Sequence, residues 1–195
     1  MTTLPLFPLH AVLFPEGLLR LRIFETRYVD MVRRCLREDR GFGVVLILQG
    51  REVGGTVRTA QVGTLARIID FEKLADGLLG IAARGEQRFR IVSARQQEDG
   101  LNVAEVEFLP NEAPLAVPQE YAFLADVLRR VLAQLDEQHR SVPQRFDDAV
   151  WLGARLTEIL PLPLRDRQRC LEMQDPLERL AVLRDALPRA EPRGS

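Results

Sequence analysis

Just past the middle of this 195-residue chain the hydrophobic period changes, and that change limits the fold more than any single motif does. Up to Leu109 the apolar residues fall in short alternating or continuous runs bounded by Gly and Asp-Gly pairs, the pattern of strands joined by tight turns. From Pro118 onward they recur at i, i+3, i+4 and i+7, the stripe of amphipathic helices. Pro110, Pro114 and Pro118 punctuate the boundary, which reads as a linker. The expected fold is therefore α+β: a β-rich subdomain over residues 1–110, a linker over 110–118 and a helical bundle over 118–190.

Within the first part, Leu19, Leu21 and Ile23 alternate with Arg20 and Arg22, a half-buried strand. From about Glu25 the period becomes helical: Tyr28, Met31, Val32, Cys35 and Leu36 form a core-facing stripe that ends near Asp39, before Gly41. Gly43–Leu48 is a short β-branched run, and Gln49–Ala60, with Gly50, Gly54 and Gly55, reads as an exposed loop. Val62–Phe71, Leu78–Ala83, Glu86–Arg95 and Leu101–Leu109 read as further strands. Asp76-Gly77 and Asp99-Gly100 are the hairpin turns. About six short antiparallel strands suggest a pseudo-barrel, because closure removes unprotected edges.

In the second part Leu124, Val127, Leu128, Val131, Leu132 and Leu135 form one stripe, and Val150, Leu152, Leu156, Ile159 and Leu160 another, with a loop around His139–Pro143 between them. Leu160-Pro-Leu-Pro-Leu164 stops the second helix, and a short helix runs through Leu171. Asp175 as cap, Pro176 at the first helical position and Glu178 at the capping-box position open the last helix, with Leu177, Leu180, Leu183 and Leu187 as its buried face. The tail from Pro188 has no period and reads as frayed.

Composition narrows the function classes. Net charge is −1, and acidic residues interleave with the arginines, as in Arg33–Arg40, so a solvated mixed-charge surface accounts for them better than a nucleic-acid patch. No apolar run approaches the roughly 20 residues of a membrane span. Pro5, Pro8 and Pro15 interrupt any signal helix, so a cytoplasmic protein is expected. Cys35 and Cys170 are too few and too far apart for a disulfide scaffold or a thiolate zinc site.

The chemistry inventory is short. Lys73, the only lysine, lies in Phe-Glu-Lys-Leu with no glycine before it, so no Gly-Lys-Ser/Thr phosphate loop is present. The serines Ser93, Ser141 and Ser195 sit in no nucleophile motif. His10 and His139 lack metal-ligand spacing, and His139-Arg140-Ser141 reads as a polar loop. Asp147-Asp148 reads as a helix N-terminal acidic pair. No catalytic residue, metal or cofactor is expected. What remains is aromatic surface: Phe24 and Tyr28 at a strand-to-helix junction, and Trp151, the only tryptophan. These are either core and seam residues or part of an apolar groove that takes segments of other proteins.

Several blocks, in this order and spacing, resemble the N-terminal substrate-binding domain of Lon proteases and small bacterial proteins made of that domain alone. They are Leu4-Pro-Leu-Phe-Pro-Leu9, Val12-Leu-Phe-Pro15, Leu21-Arg-Ile-Phe-Glu25 with Arg27-Tyr28, Gly63-Thr-Leu-Ala-Arg-Ile68, Gly85-Glu-Gln-Arg-Phe-Arg-Ile91 and Asp175-Pro-Leu-Glu-Arg-Leu180. The resemblance implies a pseudo-barrel followed by a helical bundle, and the binding of unfolded polypeptides. Because the chain ends where the family's ATPase and protease modules begin, neither activity is expected of it. The expected role is a non-enzymatic peptide-binding module, with Phe24, Tyr28 and Trp151 as the candidate contact residues. Two other readings remain open: a small-molecule enzyme or sensor using a cleft between the subdomains, and a structural oligomerisation module.

Overall fold

The computed structural model describes residues 1–50, 58–134 and 143–187. The chain divides into two compact units, Met1–Asn111 and Glu112–Ser195. Leu135, His139, Ser141 and the tail from Pro188, all named above, lie outside the described residues.

In the first unit the order is β1 (Thr2–Leu9), β2 (Leu18–Ile23), α1 (Thr26–Arg37), β3 (Phe42–Gln49), β4 (Arg58–Thr59), β5 (Val62–Lys73), β6 (Leu79–Gln96) and β7 (Asn102–Phe108). The ladder runs β1–β7–β6–β5–β3 and then returns to β1, closing a five-strand ring; β2 pairs with β6, and β4 with β3. The closing pair differs from the all-antiparallel reading, because β1 and β3 run parallel, Leu6 opposite Gly43 through Leu9 opposite Leu46. A parallel pair needs a long crossover, and the segment carrying β2 and α1 supplies it. Arg58–Thr59, placed in a loop by the glycine-rich sequence, instead forms the short strand β4 against the end of β3.

The proline-rich opening makes sense in this ring. Strand β1 changes partner midway: Thr2–Pro5 pair with β7 and Leu6–Leu9 with β3. Each half keeps one edge outside the ladder, where a residue without an N–H is tolerated. Both faces are buried. Leu4 and Leu6 join Val45, Phe89, Ile91, Ala104 and Val106 in one core cluster, while Phe7 and Leu9 join Tyr28, Met31 and Val32 of α1 in another. A strand buried on both faces reads as continuously apolar rather than alternating.

Strand β6 also departs from the sequence pattern, which splits it into two. It runs unbroken through Gly85, pairing with β2 over Leu79–Arg84 and with β7 over Phe89–Gln96. The glycine marks a close approach, not a break. A Cβ there would lie 2.1 Å from the Phe14 carbonyl oxygen. The Gly85 N–H donates to the Gly17 carbonyl at 2.8 Å, and its own carbonyl accepts from the Glu16 N–H at 2.7 Å. The two Asp-Gly hairpins share one design: Leu74 N–H to Leu78 O, and Gln97 N–H to Leu101 O, each around a three-residue loop ending in a positive-φ glycine. Leu36 leaves the predicted core stripe; at 39% exposure it sits on the solvent side of the last turn of α1.

In the second unit a short 3₁₀ turn (Gln119–Tyr121) leads into α2 (Ala122–Leu132), α3 (Ala149–Ile159), α4 (Leu164–Glu172) and α5 (Pro176–Ala186). Leu124, Leu128, Trp151, Leu152, Leu156, Leu180 and Leu183 form its core. Asp148 caps α3 by accepting from the Val150 N–H at 3.0 Å, and Asp175 caps α5 by accepting from the Leu177 N–H at 2.8 Å. The extended chain before α2 is bonded to this unit: the Val117 N–H donates to the Asp147 carbonyl and the Ala149 N–H to the Leu115 carbonyl.

The period of α5 conceals its most consequential polar residue. Arg179, buried beside Leu180 and Leu183, forks onto both carboxylate oxygens of Glu112 at 2.7 and 2.9 Å. The same guanidinium donates to the carbonyls of Cys170 at 2.9 Å and Met173 at 3.0 Å. Five guanidinium N–H groups suit such a junction of three chain segments, which a hydrophobic periodicity cannot reveal.

Candidate functional site

The three aromatic residues singled out in the sequence occupy unlike places. Tyr28 is buried on α1, its ring stacked on Phe7 with centroids 4.0 Å apart. The Arg27 guanidinium lies 4.7 Å from the Tyr28 ring centroid, fixed by a bond from Nη1 to the Gly100 carbonyl at 2.8 Å and an ion pair with Glu25 at 2.8 Å. Trp151 is buried on α3, edge-on to Phe146 with centroids 5.4 Å apart. Phe24, immediately after β2, is 58% exposed.

Phe24 belongs to an apolar end of the sheet that the sequence pattern did not single out. Across β2, β6 and β5, Leu21, Ile81 and Phe71 are direct partners, and Ile23, Leu79 and Lys73 form the next row on that face. Direct partners share a face, so Phe71 lies on the same side as buried Ile81, yet it is 59% exposed. The ladder shifts between Ile68 and Asp70. Ile69 is the residue left over in that bulge, 48% exposed. Phe24 follows the Ile23–Leu79–Lys73 row directly, so Phe24, Ile69 and Phe71 are three exposed apolar residues placed toward one end of β2, β6 and β5. A trace of the bulge existed in the sequence: Ile68 and Phe71, opposite Ala83 and Ile81 of β6, stand at an odd spacing where plain alternation needs an even one.

Charged groups rim this end. Arg22 pairs with Asp76 of the hairpin, and Lys73, Glu72 and Asp70 are exposed. Further along β5, Arg67 binds Glu86 at 2.7 Å and Asp39 at 3.1 Å, and the bond to Glu86 together with its charge raises the Arg67 pKa above its ordinary value. Exposed apolar residues framed by charge are a common form of interaction surface. Among the described residues no group of three or more His, Cys, Asp or Glu side chains is placed to hold a metal, and no helix is long and apolar enough to cross a membrane. Both cysteines are buried free thiols, their pKa values raised chiefly by that burial.

An α+β fold, a strand ring joined in sequence to a helical bundle, is the class these features define. The chain belongs to the family of the ATP-dependent protease La (LON) substrate-binding domain, whose model matches residues 3–189. Among solved structures it is similar to a Lon N-terminal domain protein from Xanthomonas campestris, with 40% identity, a TM-score of 0.81, and coverage of 96% of this chain and 100% of that one. The Lon protease of Cytophaga hutchinsonii is 27% identical over 191 residues, 93% of this chain and 23% of that protein. Protein cereblon of Danio rerio is 37% identical over 111 residues, 55% of this chain and 25% of that protein. The chain thus spans about a quarter of the length of these two relatives.

Proposed function

We propose that this protein recognises polypeptide segments in extended or unfolded form, without ATPase or protease activity of its own. The observation that carries the reading is the family match over residues 3–189, to a substrate-binding domain. The exposed Phe24, Ile69 and Phe71 support it by supplying an apolar surface within one unit. In this reading Phe24 touches the bound chain. Buried Tyr28 holds the strand-to-helix junction from beneath, and Trp151 holds α3 in its own unit. The partner is a polypeptide rather than a nucleic acid or a membrane, and the setting is the cytoplasm.

Hydrogen exchange in the presence of an unfolded, casein-like chain tests this. Added protection over residues 21–24 and 69–71, saturating with ligand, is the expected result. Binding that does not saturate, or protection confined to other segments, overturns it.

A further inference from the structure

The first unit also contains a pocket of about 130 Å³ between the last turn of α1, the start of β1 and the hairpin before β7. Its floor is apolar: Met31 and Cys35 from α1, with Leu101 and Val103 from the far strand, all buried. Its mouth carries Arg34 and Arg40. Arg40 is engaged, donating to the Thr3 carbonyl at 3.0 Å and lying 3.5 Å from Glu38. Glu38, the one carboxylate lining the pocket, is also 3.7 Å from Arg37, so its charge is already matched. The Arg34 guanidinium, unlike the Arg34 carbonyl that accepts from the Glu38 N–H, has no ion-pair or hydrogen-bond partner among the described residues. Two guanidinium groups against one carboxylate leave the mouth positive. The Cys35 thiol, donating weakly to the Gly41 carbonyl at 3.7 Å, adds no charge to the floor while it stays protonated.

We propose that this pocket binds a small organic carboxylate, one that carries a branched aliphatic group or a single ring. The apolar end rests on Met31, Leu101 and Val103, and the carboxylate accepts hydrogen bonds from Arg34. The size agrees, since a cavity of about 150 Å³ admits benzene. So does the chemistry, because a guanidinium fork suits a planar carboxylate better than any neutral group. The same ligand chemistry is offered by a free short-chain acid and by the C-terminal residue of a polypeptide ending in Leu or Val. The site stands apart from the Phe24–Phe71 surface, so its test is separate from that of the proposed function.

The experiment is an amide-resolved NMR titration of the full chain with benzoate and 3-methylbutanoate, alongside the neutral benzamide and 3-methylbutanamide. Saturable shifts are expected over the last turn of α1 and around Leu101–Val103, with each acid binding about tenfold or more tighter than its amide. Arg34→Gln, a change at an exposed position, is expected to abolish that preference while leaving the spectrum otherwise intact. Shifts elsewhere only, equal binding of acid and amide, or an unchanged preference in Arg34→Gln overturns the proposal. A short peptide ending in a free leucine carboxylate, compared with its C-terminal amide, then separates the sources. Displacement of benzoate by the free-ended peptide supports the site with chain ends as ligand. Acid binding without such displacement supports it with free small acids as ligand.

Discussion

Replacing Arg179 with methionine should unfold the helical unit far more readily than its position in a leucine-rich helix implies. The side chain is 2% exposed and its partner Glu112 10%. Methionine fills much of the same volume but removes every donor. That removes the Arg179 cation from the Glu112 carboxylate and the guanidinium donors from the Cys170 and Met173 carbonyls. Breaking a buried pair from one side costs about 3–5 kcal/mol, because the surviving charge stays desolvated. Glu112→Leu should cost a similar amount for the converse reason. The double variant removes both charges and should lose clearly less than the sum, by about 2 kcal/mol or more. It should not recover fully, since each carbonyl that loses its guanidinium donor still costs about 1 kcal/mol or more. Urea unfolding followed by tryptophan fluorescence isolates the effect, because Trp151 is the only tryptophan and sits in the core of this unit. Single-variant losses below about 1 kcal/mol, or strict additivity in the double variant, would show that the Arg179–Glu112 pair does not hold this unit together.

Three further outcomes follow from particular contacts. Gly85→Ala should destabilise the first unit by about 2 kcal/mol or more, read by thermal melting, because its Cβ would sit 2.1 Å from the Phe14 carbonyl and neither backbone can retreat without breaking the paired hydrogen bonds. Tyr28→Ala should cost about 3 kcal/mol or more through loss of the Phe7 stack and the cavity left behind, whereas Phe24→Ala should change stability by no more than about 0.5 kcal/mol; equal costs would contradict the assigned burial. Burial raises the folded-state pKa of Cys35 and Cys170 above the ordinary thiol value of 9.0, so the neutral thiol is favoured in the fold. Their contribution to stability is present below that value and lost as pH climbs from it toward the folded-state pKa. Unfolding free energy measured from neutral pH upward should therefore fall beyond about pH 9, less steeply in Cys35→Ser/Cys170→Ser, and an identical slope would count against it.

Periodicity carried the elements whose side chains face one core. The stripe of α1, the capped start of α5 and both Asp-Gly hairpins follow directly from local residue patterns. It failed where a residue answers to a distant partner. Nothing local distinguishes a parallel β1–β3 closure from an antiparallel one, since β1 is buried on both faces and so has no alternation to set its neighbour. Gly85 looks like punctuation because the crossing Phe14–Gly17 backbone that requires it lies about 70 residues earlier. Arg179 looks like a polar-face residue because Glu112, its counter-ion, lies outside the helix altogether. Of the candidate site, Phe24 was legible from its junction. Ile69 and Phe71 left only the odd spacing from Ile68 to Phe71 as a trace, because their exposure depends on a bulge in the β5–β6 register.

The proposed binding of other polypeptides at the apolar end of β2, β6 and β5 can be read by fluorescence anisotropy of a labelled, unfolded casein-like chain, titrated with wild type, Phe24→Ser/Phe71→Ser and Leu48→Ser. Leu48 is a suitable control because it is just as exposed and apolar but lies at the end of β3. Saturable binding by wild type and Leu48→Ser, weakened about tenfold or more in the double variant with its far-UV spectrum intact, is the predicted result. Equal binding by all three proteins, or none by wild type, would contradict it.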